Sequence, residues 1–208
     1  MDFGNSLLRF ASCFRSRFLI LTVIVLMPWL HGYAQSGEDV ISRGKAFSYF
    51  IMNCAYFTTW HSSNNPYQTK RLEVYILGKD VLGQYISEAA DQAEKKWFKD
   101  GTIIIKRGNS RTEAAKANIV YIADTYAEII ETIKALNRKP MLLISPAEGF
   151  AVNGGSIEVK IQENKLRFEM NLDVLGGSGL QINSKLKSRA SVFIQDGQRI
   201  QNTYKGES

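Results

Sequence analysis

Apolar residues recur at helical spacing in two stripes between residues 38 and 60. Phe47, Phe50, Cys54 and Phe57 form one, and Tyr49, Met52, Tyr56 and Trp60 the other. The pattern predicts a first helix over 38–60 that packs on more than one side and stops at the turn formers His61-Ser-Ser-Asn-Asn-Pro66. The period then changes. Leu72-Glu-Val-Tyr-Ile-Leu77, Thr102-Ile-Ile-Ile-Lys106, Ile119-Val-Tyr-Ile-Ala123 and Met141-Leu-Leu-Ile-Ser145 are short, and the last three are almost continuously apolar, as strands covered on both faces are. Helical patterns at 81–94 and at Ala127–Leu136 fall between them, the second closing at Asn137 before Pro140. Strands alternating with helices predict an α/β fold, a mostly parallel sheet flanked by helices.

The last third has a different rhythm. Ser156–Ile161 and Leu166–Met170 alternate apolar and polar around Glu163-Asn164-Lys165, which predicts a β-hairpin attached to the parallel sheet. Asn171 is placed to cap a short helix starting at Leu172, Gly176-Gly-Ser-Gly179 to stop it, and Ser184 to cap a short terminal helix through Arg189. From about Ile194 the chain turns polar, so 193–208 is expected to be a loosely held tail.

The N-terminus changes the picture of location. Arg9, Arg15 and Arg17 precede the apolar run Phe18–Leu30, and Gly32-Tyr-Ala34 is a small-x-small site before Gln35. This is the build of a signal peptide cleaved after Ala34. The run is shorter than the roughly 20 residues of a spanning helix. Export to the periplasm follows as the expectation, leaving one α/β domain over 35–192. Losing Arg9, Arg15, Arg17 and Asp2 lowers the net charge from +6 to +4. The remaining Lys and Arg are interspersed with acids, which argues against nucleic acid as a partner. Cys54 is then the one cysteine left, so no internal disulfide can form. Its place among Phe47, Phe50 and Phe57 predicts a buried, inert thiol.

Candidate chemistry is sparse. With His31 and His61 as its two histidines the chain offers neither a multi-histidine metal site nor a supported triad, and no cofactor is called for. Gly176–Gly179 has neither the dinucleotide nor the phosphate-loop spacing. Asp80, Asp124 and Ser145 end strands at the edge where open α/β sheets hold ligands, which keeps small-molecule binding as an alternative. Glu158 and Glu169 alternate with apolar neighbours and read as the wet side of their strands. Contact residues are better supported: the second stripe of the first helix, notably Tyr49, Tyr56 and Trp60, then Phe150 if its ring is exposed, and Arg167 with Glu169, which share one strand face. For the stripe and for Phe150, core packing is the competing reading.

Gly149-Phe150, Gly154-Gly155 before Ile157, Arg167-Phe168-Glu169 with Asn171, Gly179-Leu180 and the Ser184/Leu186 helix opening resemble the C-terminal half of the YfiR-like family. Asn53-x-Ala55-x-Phe57-x-x-Trp60 and Leu72–Gly78 resemble its first helix and first strand. The resemblance covers nearly all of the chain after residue 40. It implies a non-enzymatic periplasmic regulator that binds the outer domain of a membrane-bound signalling enzyme, a diguanylate cyclase or a sensor kinase. A homodimer is a further candidate assembly, independent of the resemblance. The redox tuning ascribed to paired cysteines in this family cannot carry over, because only Cys54 remains.

Overall fold

The computed structural model describes residues 31–60, 65–137 and 139–203, and for 31–42 the backbone alone. The expected signal segment, apart from helical backbone at 31–34, and His61 lie outside the described residues. The chain falls into two compact units, Met1–Ser42 and Arg43–Ser208. In the first, residues 31–42 are helical.

Helix α1 (His31–Tyr56) leads into β1 (Thr58–Trp60), the short α2 (Pro66–Thr69) and β2 (Arg71–Leu77). Helix α3 (Tyr85–Lys96), β3 (Thr102–Gly108), α4 (Arg111–Ala114), β4 (Ile119–Ile122), α5 (Ile129–Leu136) and β5 (Leu142–Ser145) complete the alternating part. Then come β6 (Ile157–Gln162), β7 (Lys165–Asn171), α6 (Leu172–Gly177), β8 (Leu180–Ile182), α7 (Ser184–Lys187), β9 (Val192–Gln195) and β10 (Gln198–Gln201). Eight strands form one sheet in the order β10-β9-β7-β6-β5-β4-β2-β3, while β1 and β8 pair in a sheet of their own. Strands β3, β2, β4, β5 and β6 run parallel; β6–β7 and β9–β10 are antiparallel hairpins, and β9 lies parallel to β7.

The apolar runs form central strands because both faces of the sheet are covered. On one face Phe47, Ile51 and Cys54 of α1 and Ile86 and Ala90 of α3 pack against Val74, Ile76, Ile119, Tyr121, Leu142 and Ile144. That layer continues over the hairpin through Val159, Phe168 and Met170, and the Phe50 and Phe168 rings meet with centroids 4.8 Å apart. On the other face Leu77, Val120, Ile122 and Leu143 pack on Ala114, Ile133, Leu136 and Phe150. Each such fully buried side chain stabilises the fold by about 2 kcal/mol. Burial also pushes the Cys54 thiol well above its ordinary range, so the inert thiol expected from sequence is found.

The turn of the first hairpin lies at Glu163 and Asn164, both with positive φ (50° and 58°), which asparagine tolerates well. Asn171 caps α6 by accepting the Val174 N–H at 2.9 Å, as anticipated.

Three expectations are corrected. The first helix ends at Tyr56 instead of residue 60. The Thr58 hydroxyl donates to the Cys54 carbonyl (2.6 Å), the Asn183 N–H to the Phe57 carbonyl (2.8 Å), and Thr58–Trp60 turns into a strand opposite Leu180–Ile182. The cap of α7 is Asn183, not Ser184; its side chain accepts the Lys185 N–H. The expected tail from 193 instead contributes β9 and β10, because Ile194 is buried and the Asp173 carboxylate accepts the N–H groups of Asp196 and Gly197 at their turn. The far edge, β3, is guarded: Glu94 accepts the outward Ile103 N–H at 2.5 Å.

The crossing from β5 to β6 depends on close approach. A Cβ at Gly155 would lie 2.1 Å from Cε1 of the buried Phe150 ring. Gly155→Ala is expected to destabilise the protein by about 2 kcal/mol through overpacking. Adding Phe150→Leu should recover part of that loss in urea denaturation.

Candidate functional site

On the sheet face that carries Phe150, β6 and β7 bring two carboxylates side by side: Glu158 and Glu169 are direct cross-strand neighbours. The wet-face expectation for both is overturned, since they are only 4 % and 2 % exposed. Alternation alone suggested water, but the backbone at Ala151 and the Arg199 side chain reaching across from β10 cover these carboxylates. Glu169 pairs with Arg199 of β10, which also donates from Nε at 3.1 Å, and with Lys160 at 3.4 Å. Its partner is thus not Arg167, which lies exposed opposite Lys160. Glu158 accepts the Ala151 N–H at 3.3 Å, and Asn171 Nδ2 donates to the Ala151 carbonyl at 2.8 Å. Burial raises the Glu158 carboxyl above its ordinary range; the Ala151 N–H opposes that shift and the neighbouring Glu169 adds to it. The cluster ties the loop and the last hairpin to the sheet.

Most residues that carry the family resemblance are accounted for by this architecture. Phe150 is 2 % exposed and plugs the second core layer, Trp60 is likewise 2 % exposed beneath the β1–β8 pair, Phe168 packs under α1, and Glu169 and Asn171 act as clamps. Neither Trp60 nor Phe150 presents a side chain to a partner in this structure. The sheet's carboxyl edge is also occupied. Asp80 accepts the Leu82 and Gly83 N–H groups and pairs with Arg107 at 2.7 Å, Ser145 is buried, and Gly44 of α1 comes so close to Val81 that a Cβ there would lie 2.6 Å from its carbonyl oxygen. Asp124 stays exposed.

The exposed chemistry gathers along α1. Tyr56 (49 % exposed) stacks near Phe57 (4.8 Å between ring centroids) and Trp97 (5.4 Å), and Tyr67 (43 % exposed) lies 6.4 Å from Trp97 and 5.6 Å from Phe98. Lys70, Lys96, Lys99 and Asp100 stand beside these rings. Tyr49 stands further along the same helix, its hydroxyl accepting a hydrogen bond from Gln92 Nε2 at 2.8 Å, and it separates two grooves. One, of about 400 Å³, lies toward α3; the other, of about 620 Å³, toward β7 and α7. Sequence reasoning singled out Tyr49 and Tyr56 but missed Trp97, Tyr67 and Phe98. The signal was available in Lys95-Lys-Trp-Phe-Lys99, where bulky rings interrupt a basic run just past a helix end.

The sequence profile of the YfiR/HmsC-like proteins matches residues 45–190. The chain belongs to that family. YfiR/HmsC-like proteins are generally regulatory rather than catalytic, and membership is consistent with a regulatory role. No curated protein matches the chain. Among solved structures, a conserved domain protein from Vibrio cholerae O1 biovar El Tor is similar at 12 % identity with a TM-score of 0.42, over 60 % of this chain and 54 % of that one. The match therefore spans about half the length of that protein. Among the described residues no helix is long and apolar enough to cross a membrane.

Two substitutions test the polar cluster. Arg199→Ala leaves Glu169 buried beside Lys160 alone and is expected to cost about 1–2 kcal/mol in chemical denaturation, the exposure of Arg199 tempering the loss. Because the folded Glu158 carboxyl is raised, its contribution is fully favourable below the ordinary carboxylate range and is lost as pH rises through the folded value. Glu158→Gln should therefore raise the melting temperature at pH 7 and lose that advantage near pH 4. Equal shifts at both values would contradict the assignment.

Proposed function

We propose that this protein is a non-enzymatic periplasmic regulator that binds the outer domain of a membrane-bound signalling enzyme, a diguanylate cyclase or a sensor kinase, and changes its activity. The observation that carries the reading is the ring cluster of exposed Tyr56 and Tyr67 with half-buried Trp97, and Lys70, Lys96 and Lys99 around it, on a chain of the YfiR/HmsC-like family. Contiguous aromatic surface with a polar rim is what protein interfaces use as anchors. The lysines fit a partner face that is apolar at its centre and acidic at its margin, and they make association sensitive to salt.

Regulation by contact requires unequal affinity for two states of the partner, because equal binding to both shifts nothing. The rings supply such a difference if only one state exposes the matching pocket. Tyr49 extends the same surface along α1, and Arg167 stands exposed on the far face of the sheet as a separate contact candidate. Trp60, Phe150 and Glu169 are buried and serve the fold.

Cross-linking in the periplasm followed by affinity purification should recover one dominant membrane enzyme. Tyr56→Ala with Trp97→Ala is then expected to weaken that association at least tenfold while the melting curve stays cooperative. A folded double variant that captures and regulates the enzyme as well as the parent does would overturn the surface assignment.

A further inference from the structure

The larger groove, toward β7 and α7, has a chemistry of its own. Its walls are Ala46, Tyr49, Phe50, Asn53 and Phe57 from α1 and the residue after it, Leu166 and Phe168 from β7, and Lys185, Leu186 and Arg189 from α7 and the turn behind it. The α1 positions 46, 49, 50 and 53 follow one helical face over two turns, about 10 Å at 1.5 Å per residue, and Phe57 just past the helix end carries the groove on to about 15 Å. Its floor carries Phe50, Phe168 and Leu186, which are buried, and Phe57 and Leu166, which are half-buried, with Asn53 and Ser188 as polar neighbours. Its volume of about 620 Å³ lies within the usual range for small-molecule sites, which run from about 300 to 1,000 Å³.

The rim is the deciding feature. Lys185 and Arg189 are both exposed, neither forms an ion pair with any described residue, and no Asp or Glu lines the groove. What sets Lys185 and Arg189 apart from the other unpaired surface cations is their place together at the rim of this trough. Two uncompensated cations beside a long apolar trough match a ligand with the same division: an extended hydrocarbon body and one anionic head. A compact ring would leave much of the trough wet, and a cationic amphiphile would meet like charge at the rim.

We propose that this groove binds a free, single-chain anionic amphiphile of about ten to twelve carbons, the chain lying along α1 over Phe50 and Phe168 and the head group held by Lys185 and Arg189. The site borders the proposed contact surface, sharing Tyr49 with it and meeting the Tyr56 ring through Phe57, but binding there does not depend on a protein partner.

Isothermal titration of the protein purified from the periplasm with dodecanoate, hexanoate and dodecyltrimethylammonium tests it, all kept below their critical micelle concentrations. Dodecanoate should bind with one-to-one stoichiometry, at least tenfold more tightly than either of the others. Lys185→Glu with Arg189→Glu, both at exposed positions, should weaken dodecanoate at least tenfold and strengthen the cationic probe. Leu166→Trp, which fills the trough without touching the charges, should weaken both long-chain probes. The proposal fails if dodecanoate does not bind below about 1 mM, if anion and cation bind equally, or if the charge reversal leaves dodecanoate affinity unchanged in a variant that melts like the parent.

Discussion

The constraint that organises this molecule is the burial of β2, β4 and β5 on both faces. Strands so apolar leave no side for water, so each face needs its own covering layer. Helices α1 and α3 supply one, and α4, α5 and the loop carrying Phe150 supply the other. Because α1 is long, it does more than cover the parallel strands. Through Phe50 it reaches Phe168 on β7 and so joins the first helix to the antiparallel half of the sheet. Its outward side, from Tyr49 to Tyr56, is then left as the exposed ridge between two grooves.

The parallel strands and the first hairpin were legible because local pattern and tertiary environment agree there: continuous apolar runs are buried on both faces, and the Asn164 turn has the residue its backbone favours. What was hidden depends on contacts between distant parts of the chain. Thr58–Trp60 reads as helix until it is known that Leu180–Ile182 pairs with it. Glu158 and Glu169 look wet until Arg199 and the 149–151 backbone close over them. Gln198–Gln201 has no apolar period of its own and becomes a strand because Val192–Gln195, its antiparallel partner, is anchored beside β7.

The candidate surface was legible in part for the same reason. The second stripe of the first helix singled out Tyr49, which is half-buried, and Tyr56, which is exposed, but it merged them with Met52, which is buried, and with Trp60, which leaves the helix altogether. The ring cluster needs Tyr67 and Trp97, which come from separate elements and meet Tyr56 only in three dimensions. A stripe on one helix cannot announce a surface assembled from three.

The Glu94 carboxylate on the Ile103 N–H bears on how this protein can be approached. A parallel edge strand rich in isoleucine is a template for any stray extended segment, its own unfolded copies included. With one outward donor already occupied, and with Lys106 and Arg107 held in place by Glu73 and Asp80, that edge offers an incoming strand an interrupted ladder flanked by charge. Lengthening the sheet at β3 is thereby discouraged as a mode of recognition. What meets this edge productively must read its side chains, which can discriminate among visitors as a bare backbone edge cannot.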